Sequence, residues 1–269
     1  MAKGIYFGVG SKARKVTNAY IGVNGVARKV KKAYIGVNGV ARQFWGGMVL
    51  AELPDGSTIK IKENGVDTLF ALMRGNYQSD LNGSGRRYVI RYEAYNKQMA
   101  WNSSGVNTYR NSTVDTWLNN TYKNYLPSEV RTAMGTTTIE YTVGGGDRTV
   151  KTIARSVFLP SCFELGYRTY PTYPGEPYNE EGVDVTRNDT ALTIMRTAYV
   201  GDTEVNFWTR SAKFDTTDTV YLQHISRRVT DLDQLCSNSF YVRPAFTLPD
   251  TLEVDPTPNA DGSYNLIFE

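Results

Sequence analysis

A 14-residue unit opens the chain and is written three times: Tyr6 to Ala19 (YFGVGSKARKVTNA), Tyr20 to Ala33 (YIGVNGVARKVKKA) and Tyr34 to Gly47 (YIGVNGVARQFWGG). Near-identity of the last two copies marks a small structural element used repeatedly, not part of an irregular globule. Asn24-Gly25 and Asn38-Gly39 each stand between two valines. Asn-Gly adopts the two positive φ values of a type I′ turn, so each copy is expected to fold as a hairpin. Val23 should then face Val26, and Val37 should face Val40. Gly10-Ser11 marks the matching turn of the first copy. Alternation slips near Lys31-Lys32, which predicts a bulge or a second turn there. Ribbons with such small side chains bury little, so they need a partner: another copy, the rest of the chain, or a neighbouring protein.

Charge divides the chain at the same boundary. Residues 1–47 hold nine Lys and Arg and no acid, whereas residues 48–269 hold 21 basic and 27 acidic residues, a formal charge of −6 against +9. The basic stretch either docks on an acidic surface or uses Lys and Arg to keep exposed strand edges soluble and unpaired. Nucleic acid fits it less well, because aromatics and cations do not interleave as in a single-strand binder.

The length of 269 residues and a hydrophobic content of 41% suit one large domain plus a small one. No apolar run approaches the ~20 residues of a membrane span, so no membrane insertion is expected. Ile5 to Val9 is too short for a secretory core. The expectation is synthesis in a bacterial cytoplasm without a signal peptide. Cys162 and Cys236 are the only cysteines. Two buried free thiols are expected, with one bridge as the alternative, and no Cys/His spacing suggests zinc.

Within residues 48–269, Leu50 to Glu63 reads as a hairpin or strand pair turning at Asp55-Gly56. Asp67 to Arg74 is a short apolar segment, and Arg87 to Tyr95 alternates as one strand. Ser112 followed by Asp115 is a helix-start signal of the capping-box kind. Val114, Trp117, Leu118, Tyr122 and Tyr125 then follow at helical spacing. Pro127 to Val130 opens a second short helix that ends near Gly135. Thr136 to Tyr141 and Thr149 to Phe158 are strands separated by a turn at Gly144 to Asp147. Residues 167–190, rich in Tyr, Pro, Gly and Asn, read as a long surface loop. Val205 to Thr209, Thr219 to His224 and Phe240 to Leu248 are strands. After the connector Asp250 to Asp261, Ser263 to Phe268 is a last strand or a tail that pairs elsewhere.

Four motifs carry a resemblance: Trp117-Leu118-Asn119, Val157-Phe158-Leu159-Pro160-Ser161, Phe207-Trp208-Thr209-Arg210-Ser211 and Tyr241-Val242-Arg243-Pro244-Ala245-Phe246. In order and spacing, roughly residues 65–250 resemble an uncharacterised bacterial and prophage domain family with the signature W-L-N, F-L-L-S, W-L-R-S, V-R-P-A. Thr209 and Ala212 depart from it, standing where that family tends to have Leu and Pro. The resemblance implies an α+β, C-type-lectin-like fold of mixed, mostly antiparallel sheets with two short helices. The repeats resemble segments of proteins encoded by phages and prophages of Firmicutes. Three parts follow: 1–47, a β-hairpin repeat for attachment or oligomerisation; 48–250, the lectin-like domain; 251–269, a C-terminal connector and strand. Trp117, Leu118, Trp208, Arg210, Arg243 and Pro244 are the structural signature. The two arginines sit beside core residues, where a guanidinium needs a carboxylate or several carbonyls.

Catalytic chemistry has little to build on. His224 is the only histidine and has no nucleophile motif beside it. Gly144-Gly145-Gly146 lacks the Lys of a phosphate loop. No cofactor is expected. Ca²⁺ is the one ion that would suit Glu176, Asn179, Glu180, Glu181, Asp184, Asn188 and Asp189, although Glu176-Pro177-Tyr178-Asn179 breaks the sugar-binding lectin triplet. The expectation is therefore a non-enzymatic phage tail or prophage adhesion protein, found on the virion or outside the cell after phage release. Its body would bind a host-surface glycan or protein. Its repeats would join other virion or tail proteins, or its own copies as a trimer. A purely structural virion or baseplate protein is the alternative, and an enzyme related to formylglycine-generating proteins stands further off. Ligand contacts are expected from Phe214, Asp215, Tyr221, Gln223, His224, Arg228, Asp231, Asp233 and Tyr241, where related folds display their binding face.

Overall fold

A computed structural model describes residues 6–9, 12–15, 19–30, 32–37, 40–46, 48–167, 188–213, 215–225 and 233–268. The repeats form three two-stranded antiparallel ribbons, one per copy: β1 (Tyr6–Val9) with β2 (Lys12–Lys15), β3 (Tyr20–Val23) with β4 (Val26–Lys29), and β5 (Lys32–Val37) with β6 (Val40–Gly46). Val23 pairs with Val26 and Val37 with Val40. Asn24 and Gly25 have φ of 52° and 76°, the values that a type I′ turn demands and that Asn-Gly supplies at low cost. The slip expected near Lys31-Lys32 falls one residue further on, as a register shift between Ala33 and Tyr34. Tyr20, Ile21 and Val26 remain more than half exposed on the middle ribbon.

The body begins with β7 (Met48–Val49), a single 3-10 turn over Leu50–Glu52, β8 (Thr58–Glu63) and β9 (Val66–Leu72). The strand pair expected around Asp55-Gly56 is displaced. Pro54 and the short 3-10 turn keep the chain out of the sheet until Thr58, and β8 instead turns into β9 at Asn64-Gly65. A short helix α1 (Ser79–Asn82) leads to β10 (Arg86–Arg91) and β11 (Tyr95–Ala100), and then come α2 (Thr113–Asn120), α3 (Ser128–Met134), β12 (Thr137–Gly144) and β13 (Asp147–Arg155). The Ser112 hydroxyl accepts from Asp115 N and starts α2 as expected. α3 ends at Gly135. After residues 168–187 comes α4 (Asp189–Arg196), a helix whose first residues fall inside the segment read as loop, capped by Asn188 Oδ1 on Ala191 N. The chain continues through β14 (Tyr199–Val200), β15 (Thr203–Glu204), β16 (Phe207–Ala212), β17 (Thr219–Gln223), β18 (Asp233–Leu235), β19 (Ser239–Val242), β20 (Ala245–Pro249), β21 (Glu253–Val254) and β22 (Tyr264–Ile267).

The fold is mixed α+β, strand-rich with short helices and mostly antiparallel sheets. A seven-stranded sheet has the order β20-β10-β9-β8-β22-β21-β7, and a five-stranded sheet has the order β11-β19-β16-β17-β18. The last strand pairs within the body, between β8 and β21. Two stretches read as single strands each divide between the sheets. Arg87 to Tyr95 breaks after Arg91, whose guanidinium donates to the carbonyls of Glu93 and Ala94 and holds a turn. Phe240 to Leu248 breaks at Arg243-Pro244, where proline has no N–H to offer a ladder. The two crossings lie side by side, since Arg91 N donates to Pro244 O at 2.9 Å.

One core fills the body, built on Phe70, Tyr77, Tyr88, Trp101, Phe158, Phe207, Trp208 and Phe246, all fully buried. Each such side chain contributes about 1.5–3 kcal/mol by leaving water. Among the described residues no member of this core precedes Met48. Cys162 and Cys236 are both buried free thiols.

Candidate ligand-binding site

The four sequence motifs meet inside the body. Arg210 has no exposed surface. Its guanidinium forms two 2.7 Å bonds to Glu164 and donates to the carbonyls of Leu159 and Glu140. Tyr77 and Tyr88 donate their phenols to the same carboxylate, and Ser161 N adds a bond at 3.0 Å. Burial, then the charge of Glu164, raises both phenol pKa values well above the ordinary tyrosine range. Arg243 takes the other solution. It meets no carboxylate and donates to the carbonyls of Arg91, Tyr92, Ile194 and Met195, clamping the two sheet crossings to α4. Burial lowers its pKa to about 9. Trp208 Nε1 donates to Met99 O, and Asn119 bridges α2 to the backbone at Ser156 and Val157. Trp208, Arg210, Arg243 and Asn119 are thus spent on holding elements together.

The expected contact residues scatter over a different part of the sheet. Tyr221 is 4% exposed and Gln223 1%. They lie on β17, which runs between β16 and β18 with Val220 to Gln223 enclosed on both faces, so neither is displayed. Asp215 is exposed and 3.6 Å from Lys213 Nζ. His224 and Tyr241 are half-buried, and Asp233 opens β18 opposite Tyr221. Phe214, Arg228 and Asp231 lie outside the described residues, as do Glu176, Asn179, Glu180, Glu181 and Asp184 of the calcium set. Of that set, Asn188 is used as the cap of α4 and Asp189 stands in its first turn. No group of three or more His, Cys, Asp or Glu side chains placed to hold a metal ion occurs among the described residues.

A concave polar surface lies instead along α2. An open cleft of about 370 Å³ is bounded by Asn111, Asp115, Thr116, Asn119, Asn120, Thr136, Ala154, Arg155 and Ser156. Its floor is a bidentate ion pair, Arg155 Nε to Asp115 Oδ1 at 2.7 Å and Arg155 Nη2 to Asp115 Oδ2 at 2.8 Å. Asn111 N and Asn119 Nδ2 fill the remaining positions on the carboxylate. Burial works against the Arg155 charge, but the hydrogen bonds and charge of Asp115 outweigh it and raise the guanidinium pKa. A carboxylate accepting four bonds is rigid and poorly placed to take a proton from a substrate.

The other flank of the same helix carries aromatics. Trp117 meets Tyr95 at 5.3 Å and Tyr122 at 5.5 Å with tilted rings, and Tyr95 stacks near-parallel on Tyr125 at 6.0 Å. Tyr122 is fully buried and donates to Glu63, whereas Tyr95, Trp117 and Tyr125 are half-buried. Lys97 Nζ lies 5.5 Å from the Trp117 ring centre. Trp117 and Tyr125 read in the sequence as core-facing residues at helical spacing. That they also reach the surface depends on β11 coming up beside α2, a long-range contact with no sequence signal.

A family model described as "Domain of unknown function (DUF6273)" matches residues 84–250, and the chain belongs to that family. No curated protein and no solved structure matches the chain.

Proposed function

From membership of a family without an assigned activity, we propose that this chain is a non-enzymatic recognition protein of the phage tail or prophage adhesion kind, with a C-type-lectin-like body. The body binds a host-surface ligand, glycan or protein. The basic ribbons attach it to other virion proteins or to its own copies.

The observation that carries this reading is the division of labour among the side chains. Buried arginines, Trp101, Trp208 and the Glu164 carboxylate are engaged with one another and with backbone carbonyls, while the concave surface beside α2 offers amides and hydroxyls and the helix's other flank carries half-buried aromatics. Polar groups that orient a ligand beside flat apolar area are what a recognition surface needs. The lectin-like assignment is supported by the return of the C-terminal strands to the start of the body: β21 pairs with β7, and β22 with β8. Asp215, His224 and Tyr241 are further contacts in this reading. The ribbons' role is supported by their exposed Tyr20, Ile21 and Val26 among cations.

The test is adsorption of fluorescently labelled residues 48–269 to a panel of Gram-positive bacteria. Saturable adsorption to at least one strain is expected. A body that adsorbs to none, while the full chain still joins virions, would favour the structural baseplate alternative.

A further inference from the structure

Resting on that reading, we propose that the ligand is a neutral oligosaccharide lying across α2, one sugar unit in the cleft and the next against Trp117.

Four observations point to a sugar. The cleft, at about 370 Å³, is at the small end of ligand pockets and has the size for one or two hexose units. The exposed lining residues Asn111, Thr116, Asn120 and Thr136 present amides and hydroxyls beside apolar carbon, a mixture that suits the hydroxyls and C–H faces of a sugar. Its two charges neutralise each other through paired bonds at 2.7 and 2.8 Å, so the floor carries no net charge to select an ionic ligand. Across the helix, Trp117 and Tyr125 are half-buried rings whose exposed edges a sugar's C–H face can meet.

The helix makes the two halves one track. Thr116 and Asn120 are exposed, border the cleft, and are neighbours of Trp117 on the outward side of α2. Lys97 shares the Trp117 surface as an exposed cation–π partner, an interaction worth little at such a site and readily displaced. The Asp115–Arg155 pair and Asn119 are already fixed by their own bonds, so ligand contact orders few side chains.

The experiment uses a strain to which residues 48–269 adsorb. Asn120→Arg fills the cleft mouth from an exposed position. Trp117→Leu keeps apolar cover over the core and removes the ring, and a thermal melt checks its fold. Each is expected to weaken adsorption at least tenfold, while Val66→Thr at the exposed tip of the β8–β9 hairpin leaves it unchanged. Mild periodate oxidation of the cells should abolish adsorption, and protease treatment should not. Excess tetragalacturonate should compete no better than maltotetraose; clear preference for the acid would overturn neutrality. Adsorption unchanged in both α2 variants, or lost only after protease, overturns the assignment but leaves host recognition standing. Loss on changing Asp215 and His224, with both α2 variants unaffected, moves the ligand to the five-stranded sheet and overturns it as well. Failure of residues 48–269 to adsorb to any strain overturns the recognition reading and this assignment together.

Discussion

At Glu164 two phenols, a guanidinium and a backbone N–H converge on one buried carboxylate. Removing its charge leaves Arg210 buried without a counter-ion, so Glu164→Gln should cost about 3–5 kcal/mol, read as a fall in the urea midpoint at constant slope. Replacing both partners by apolar residues should recover part of that loss. The tyrosines give a pH prediction. Tyr77, Tyr88 and Tyr122 have folded pKa values raised by burial, and next by the nearby Glu164 or Glu63 charge. The unfolded chain therefore releases these protons first. Stability is flat below the unfolded value near 10 and falls above it, by about 1.4 kcal/mol per pH unit per tyrosine. Phenolate absorbance should show exposed tyrosines titrating smoothly and the buried set appearing together with loss of near-ultraviolet dichroism. That Arg210 and Arg243 would be clamped was legible, because a guanidinium among core residues must find acceptors. Which acceptors was not: Glu164 lies 46 positions away from Arg210 in sequence, and the carbonyls around Arg243 come from two separate segments, Arg91-Tyr92 and Ile194-Met195.

Among the elements, the loop before β17 is set by one amide. Asn107 Nδ2 donates to the carbonyls of Lys213, Thr216 and Thr219, and its Oδ1 accepts from Gly145 N. Gly144 has φ of 77°, and a Cβ there would lie 2.1 Å from Asn107 O. Gly144→Ala should therefore cost more than the about 1–3 kcal/mol of a strained φ alone, with hydrogen exchange rising selectively over residues 213–219. Ser112→Ala removes the cap of α2 and should cost about 0.5–2 kcal/mol, measured by thermal melts. Local signals predicted these elements well: Ser112 before Val114, Gly135 after Met134 and Asn24-Gly25 each act within four residues. Where an element is ended by something distant, pattern reading ran through it. Arg87 to Tyr95 alternates past the point where Arg91 and Arg243 tie the crossing, and Phe240 to Leu248 passes Pro244 in the same way. Contact residues were expected between Arg210 and Val242 because related folds display their binding face there, yet β17 is an inner strand covered on both faces, and the concave surface is bounded instead by α2, Thr136 and the end of β13.

Across the whole molecule, three basic ribbons precede a body that holds all of the described core. The described core starts at Met48, so residues 48–269 should melt within about 2–4 °C of the full chain, since a difference of 1 kcal/mol moves a domain of this size by only that much. The hairpins of the repeats were readable from Asn-Gly between valines. The pairing of the C-terminal strands with the strands that open the body was not readable, because β21 and β22 are short and their partners β7 and β8 lie about 200 residues earlier. The division of labour is tested most directly by competition for bacterial cells. Unlabelled residues 48–269 in excess should abolish adsorption of the labelled full chain, and a peptide of residues 1–47 should leave it untouched. Competition by the peptide alone would contradict the account, since the ribbons would then be the part that recognises the cell.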